Sequence, residues 1–181
     1  MTRRQVPMRI LMPCLIGLLA ASTLGCITHE GQLAILMTSG SGTTLTVGAQ
    51  QVNVEITSVD LWDSDSNTWI TVAGGSQVHE LVGLAGRSSP IALVNSIKSG
   101  NYTQVRITFS QANSSVVTAT GRRDPLHISP LATTVQALAA VVENAASDVF
   151  LELDLAASLS LRGNGNWVLR PVVRQVTSRS R

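Results

Sequence analysis

The sequence predicts an all-β fold: a single antiparallel β-sandwich of about 7–9 strands, behind a signal peptide. Three observations predict the β architecture. After residue 25 the chain is rich in Val, Thr, Leu and Ser, with Gly and Asn at its breaks. Its apolar residues alternate with a period of two, the period of a half-buried strand. Turn signals then divide these runs at short intervals, with no long repeat or internal linker.

The elements follow in order. Leu33 to Thr38 reads as the first strand, and Ser39 to Thr43 as a Gly/Ser loop. Val52, Val54 and Ile56 alternate before the phase slips to Val59 and Leu61, which predicts a bulge near Thr57-Ser58 or two strands meeting there. Asp63 to Thr68 is a turn, Trp69 to Val72 its returning hairpin partner, and Val78 to Leu84 a short strand. Gly86 to Ser99 reads as loop, with room for one helical turn at Ile91 to Ser96. Tyr102 to Ser110 is the clearest strand, with Val105, Ile107 and Phe109 on one face and Gln104, Arg106 and Thr108 on the other. Val116 to Thr120 and Leu126 to Ile128 flank a turn at Gly121 to Pro125.

Val135 to Ala146 fits two periods. Val135, Leu138, Val142 and Ala145 suit a helix, whereas the alternating neighbour Val149 to Leu155 and a hairpin turn at Asn144 to Ser147 favour strand, which is the reading adopted. Gly163-Asn164-Gly165-Asn166 is a turn, and Trp167 to Val176 the closing strand. Pro171 lacks an N–H, so that strand is expected at an edge or with a bulge. Trp167 is expected to cap the core at a strand start.

The N-terminus carries an address. Arg3, Arg4 and Arg9 precede an apolar stretch from Ile10 to Leu19, too short to cross a bilayer core of ~30 Å as a helix. That length suits a secretory signal. Ser22-Thr23-Leu24-Gly25-Cys26 resembles the lipobox of bacterial lipoproteins, which implies cleavage before Cys26 and acylation of its thiol; the alternatives are a plain signal peptide or an uncleaved anchor. Cys14 lies in the leader, so a chain cut there keeps Cys26 as its only cysteine, and acylation would account for an unpaired thiol. Several acyl chains on one residue hold a membrane firmly where one does so only marginally. Ile27 rather than Asp after the cysteine favours, by resemblance to enterobacterial sorting, the outer membrane. The expected organisation is a leader at 1–25, an anchor and tether at 26–32, a sandwich at 33–177 and a disordered tail at 178–181.

Charge narrows the partners. Removing the first 25 of 181 residues leaves 156, with 10 basic residues of the original 13 against 11 acidic ones, a net −1 rather than +2. The apparent basicity belongs to the leader, and no nucleic-acid partner is expected. The late cluster Arg170, Arg174, Arg179 and Arg181 reads as a solvated tail and one strand face rather than a phosphate site.

The run from Ser99 to Ile107, then Leu151-Glu152-Leu153-Asp154-Leu155 with Ser158, Gly163-Asn164-Gly165 and Leu169 to Arg174, with Val52 to Ile70 earlier, resembles the bacterial lipoprotein family called domain of unknown function 4382. The resemblance spans about Gly31 to Val176. It implies a transthyretin-like sandwich, often lipid-anchored, and brings neither an established activity nor catalytic residues.

Chemistry-bearing residues are few. Asp63-Ser64-Asp65-Ser66-Asn67 has D-x-D-x-N spacing that can offer Ca²⁺ three oxygens, with Asp60 a further ligand, but Thr68 and Gly74 stand where an EF-hand loop needs Gly and Glu. A polar hairpin turn is the simpler reading. Trp62 and Trp69 bracket it, on the face opposite Leu61, Ile70 and Val72, as a structural cross-strand pair or as a platform for a sugar or a partner's apolar surface. His29, His79 and His127 lie in separate segments, and no H-E-x-x-H, C-x-x-C or G-x-S-x-G occurs. Glu152 and Asp154 share a strand face that reads as solvated, opposed by Arg170 and Arg174. The expectation is a non-catalytic, lipid-anchored envelope module for protein interaction or adhesion, without a cofactor. The alternative is a glycan- or calcium-binding lipoprotein centred on Trp62, Asp63, Asp65, Asn67 and Trp69. An enzyme is third, and would need His79 or His127 brought to a carboxylate.

Overall fold

The computed structural model describes residues 29–40 and 48–180. The leader, Cys26, most of the Gly/Ser loop after Ser39, and Arg181 lie outside them. Eleven strands occur among the described residues: β1 (Glu30–Ser39), β2 (Ala49–Asp63), β3 (Thr68–Glu80), β4 (Ser89–Lys98), β5 (Gly100–Thr118), β6 (Arg123–Ile128), β7 (Ala132–Val141), β8 (Ala146–Leu153), β9 (Leu159–Leu161), β10 (Trp167–Leu169) and β11 (Val173–Ser180). One helical turn, α1 (Leu155–Ser158), precedes β9, and a 3₁₀ turn spans Val82–Leu84.

Two sheets face each other. One has the order β11-β8-β1-β4, the other β3-β2-β5-β6-β10-β9, with β7 also paired to β5. The alternation explains why they stack. Leu33, Ile35 and Met37 from β1, Val149, Leu151 and Leu153 from β8, and Val59, Leu61, Val105 and Ile107 from β2 and β5 are all buried in one cluster. Each such side chain contributes about 1.5–3 kcal/mol by leaving water. The sandwich is thus all-β, but two of its pairs, β1 with β8 and β6 with β10, run parallel rather than antiparallel.

Several elements differ from the sequence reading, each for a local reason. Trp69 to Val72 and Val78 to Leu84 belong to one continuous β3 up to Glu80, after which the chain turns through the 3₁₀ segment. Gly74-Gly75 looks like a break, yet β2 supplies partners on both sides of a register shift there. Gly86 to Ser99 is not loop: Ser89–Lys98 forms β4 and no helical turn occurs at Ile91 to Ser96. Two register shifts against β1 scramble its alternation, which hid the strand. Tyr102 to Ser110 and Val116 to Thr120 are two halves of β5. The slip after Ile56 is a register shift at Thr57, seen against both β3 and β5.

Val135 to Ala146 is strand, with Val135, Ala137, Ala139 and Val141 buried in alternation. It forms no hairpin with β8. The Asn144 turn, at φ 56, instead passes the chain from one sheet to the other. The Gln175 side-chain amide closes that seam, pairing with both Leu138 N and Leu138 O at 3.0 Å as a strand backbone would.

Pro171 divides the predicted closing strand into β10 and β11, which lie in different sheets. The flanking N–H groups both turn to Ser158: Arg170 N donates to its carbonyl at 2.8 Å and Val172 N to its hydroxyl at 2.9 Å. Strand β11 runs to Ser180, so residues read as tail continue the sheet, and β1 begins at Glu30, inside the expected tether.

Gly31 marks a close approach. A Cβ there would meet the Val142 carbonyl and lie 2.8 Å from Val141 Cγ1, whereas one on Gly163 would meet nothing within 4 Å. Gly31→Ala is expected to lower unfolding free energy by about 1–3 kcal/mol, and Gly163→Ala to change it little, as read by urea denaturation.

Candidate functional site

The face around the two tryptophans is built by register. Trp62 of β2 lies directly opposite Trp69 of β3, and Asp60 opposite Thr71 on one side and Arg106 on the other. Because Val59 and Leu61 point into the core, Asp60 and Trp62 share the outer face of the sheet. The indole centroids are 5.3 Å apart with planes at 63°, an edge-to-face pair. Such a pair contributes about 0.5–1.5 kcal/mol beyond its burial. The Arg106 guanidinium lies 4.3 Å from the Trp69 ring centroid, a cation–π contact.

Asp60 fixes that guanidinium. Its Oδ2 accepts from Arg106 Nε at 3.0 Å, and its Oδ1 from Ser58 Oγ at 3.0 Å and Thr71 Oγ1 at 2.6 Å. Burial raises the Asp60 pKa, but the bonds from Thr71, Arg106 and Ser58 outweigh it and hold the carboxyl below its ordinary value. The aspartate side chain is 6% exposed and the arginine 36%, so the cation's outer edge remains in water. The result is a half-buried aromatic and cationic surface pinned by a buried carboxylate.

The turn that joins the tryptophans uses its acid for itself. Asp63 Oδ1 accepts from Asp65 N at 2.9 Å and Ser66 N at 3.4 Å, and its Oδ2 accepts from Ser66 Oγ at 2.7 Å. The Ser66 hydroxyl, the turn amides and nearby Lys98 lower the Asp63 pKa against the raising effect of burial. Asp65 and Asn67 are exposed, and Asn67 adopts φ 52 to complete the turn. No group of three metal-ligating His, Cys, Asp or Glu side chains occurs among the described residues. The turn sits where the chain enters the sandwich: Ser99 N donates to His29 O at 2.8 Å, and Ser64 Oγ to Asn101 O at 2.8 Å.

The remaining candidates are dispersed. Glu152 pairs with Arg174 at 2.5 Å, while Asp154 caps α1 by accepting from Ala157 N at 3.0 Å. They therefore do separate structural jobs, and Arg170 is not their partner. His79 is buried on β3; its Nε2 has no partner among the described residues, and desolvation lowers its pKa. His29 Nδ1 lies 2.6 Å from Glu143. His127 Nδ1 meets Gln111 Oε1 at 3.0 Å beside an open cleft. Trp167 begins β10, is 2% exposed, and donates from Nε1 to Asp124 at 3.3 Å.

Residues 31–171 match the family described as "Domain of unknown function (DUF4382)". The chain belongs to that family. No curated protein and no solved structure matches it. Family membership assigns no site within the domain, so the site rests on the geometry alone.

Two residues escaped the sequence reading. Arg106 stood out only as an outward-facing position, since its stacking on Trp69 depends on the β2–β5 register. Glu55 occupies an outward position of β2 by alternation, yet it is 3% exposed. It accepts from Asn113 N at 3.1 Å, from Asn113 Nδ2 at 2.7 Å and from the Ser76 hydroxyl. Ser110, Ser76 and Asn113 together bring its pKa down to about 2 from an ordinary 4.5, against the raising effect of burial. A depressed folded-state pKa contributes stability above the unfolded value that is lost as pH falls through the folded one. The urea midpoint is therefore expected to drop between about pH 4.5 and about pH 2. Glu55→Gln is expected to be less stable at neutral pH, with a shallower acid dependence.

Proposed function

We propose that this chain is a non-catalytic, lipid-anchored module of the bacterial cell envelope, presenting its sandwich to an envelope protein for interaction or adhesion. The observation that carries the reading is the half-buried face of Trp62, Trp69 and Arg106. Tryptophan and arginine are the residue types that dominate binding energy at protein interfaces. Here they are held in place before a partner arrives, which reduces the ordering cost of association.

The anchor reading rests on Cys26 and its lipobox-like context, with acyl chains in the outer membrane. His29 is already bonded to the domain, so only Ile27 and Thr28 separate it from Cys26, a reach of at most about 10 Å. The tryptophan hairpin stands at this same end, which favours a partner close to the membrane. The acids named as catalytic candidates are engaged in a salt bridge and a helix cap, which supports a non-catalytic role.

Binding of a glycan at the same hairpin is the second reading. One face of Trp69 is covered by Arg106 and the indoles stand at 63°, so a sugar ring would stack on Trp62 alone. Calcium is disfavoured because both Asp63 oxygens already accept bonds from the turn.

The intact protein is expected to carry acyl mass on an N-terminal Cys26 and to leave the membrane fraction as Cys26→Ser; an unmodified thiol contradicts the anchor. Cross-linking in intact envelopes is expected to trap a protein that Trp62→Ala plus Trp69→Ala no longer captures. Glycan binding lost in Trp62→Ala would instead support the second reading. Millimolar Ca²⁺ is expected to leave the melting temperature unchanged, since a ligand of the native state alone must raise it.

A further inference from the structure

We propose that the cleft between β6, β10 and the bulge of β5 binds a small polyhydroxylated organic acid of the acidic-monosaccharide class. This site lies at the other half of β5 from the tryptophan face and does not depend on the role proposed for that face.

The cleft has a volume of about 450 Å³, and its lining includes Gln111, His127, Arg162, Asn166, Trp167 and Val168. Small-molecule sites run from about 300 to about 1,000 Å³. Its floor is apolar: Val168 is 2% exposed yet stands outside the main core cluster, on the outer side of β10. Register sets the rim. His127 lies beside Val168 across the parallel β6–β10 pair, and the turn after β9 brings Arg162 and Asn166 over the same strand.

The rim offers an anion three kinds of contact. Arg162 makes only backbone bonds, to Asn166 O and from Gly165 N, so its guanidinium fork is free for a carboxylate. Gln111 Nε2 donates to Ile128 O at 3.2 Å, which turns its Oε1 toward His127 Nδ1 at 3.0 Å. An amide oxygen can only accept, so this contact fits the tautomer with its proton on Nδ1, which leaves Nε2 as an acceptor for a hydroxyl. The Asn166 side-chain amide supplies a donor and an acceptor to further hydroxyls.

Electrostatics select the sign of the ligand. Among the described residues, no carboxylate lines the cleft. The nearest acid behind Trp167 is Asp124, which is neutralised by Arg122 at 2.8 Å and receives the Trp167 indole N–H. One cation without an internal counter-ion, beside a hydroxyl acceptor and above an apolar floor, matches a molecule with one carboxylate, several hydroxyls and a compact carbon frame.

The test is titration of the purified protein with D-glucuronate, D-glucose and acetate, followed by tryptophan fluorescence and by the Trp167 indole N–H signal in nuclear magnetic resonance. The expected result is saturable glucuronate binding that shifts the Trp167 signal, with glucose and acetate each at least about tenfold weaker. Arg162→Gln and His127→Ala each lower glucuronate affinity by about tenfold without moving the thermal melt, and Trp62→Ala leaves it unchanged. Failure of glucuronate to saturate at tens of millimolar overturns the proposal. So does equal affinity for acetate, which leaves a bare anion contact, or for glucose, which removes the role of Arg162.

Discussion

The buried carboxylate of Glu55 is the constraint on which the larger sheet depends. Strand β5 serves two partners on one side, β7 with its first half and β6 with its second, while β2 runs along the other. To change partner it must change direction. Glu55 opposes Ser110 and Asn53 opposes Ser115, so Gln111 to Ser114 bulge out with no residue of β2 facing them. Backbone groups in such a bulge lose their ladder partners. The Glu55 side chain replaces them at Asn113, and Ser114 Oγ accepts from Glu55 N at 2.9 Å while donating to Ser110 O. One acid thus holds a four-residue detour against a straight strand and ties the Ser76 region of β3 to the same point.

What the sheet displays follows from this bend. Upstream of it, the regular β2–β5 register sets Arg106 beside Asp60 and over Trp69, so the aromatic face inherits the rigidity of continuous strands. Downstream, the detour carries Gln111 over the end of β6, where its amide meets Ile128 O and His127. The two surfaces differ in character because one grows from regular pairing and the other from a break in it. A T-shaped indole pair under a stacked guanidinium is suited to a packed macromolecular contact, whereas an open polar cleft is suited to a small solute.

The sandwich architecture was legible because alternation survives wherever a strand is buried on one face and regular, as in β1, the first half of β5 and β8, whereas β7 fits a helix period as well and reads as strand from its neighbour. The slip at Thr57 was also legible, since a bulge moves every following side chain by one position. The hidden elements are those whose pattern long-range pairing corrects. Strand β4 lost its period to two register shifts, and β3 ran through Gly74-Gly75 because β2 was there to pair with it. An irregularity at Pro171 was visible, but not that it divides the strand and moves the chain to the other sheet, since that depends on Ser158 receiving both neighbouring amides. At the site, the Trp62–Trp69 opposition followed from turn length alone, and Asp63 was readable as a turn former. Arg106 and Glu55 were not, because each acquires its role from a strand that alternation cannot align.

The claim that this module acts through its tryptophan face is tested most directly by amide hydrogen exchange on the protein in isolated envelopes, compared with the detergent-extracted protein. The account predicts slower exchange in the envelope over residues 58–71 and 104–108, with β4 and β8 unchanged. Protection confined to the β4 and β8 face, or none at residues 58–71, would contradict it.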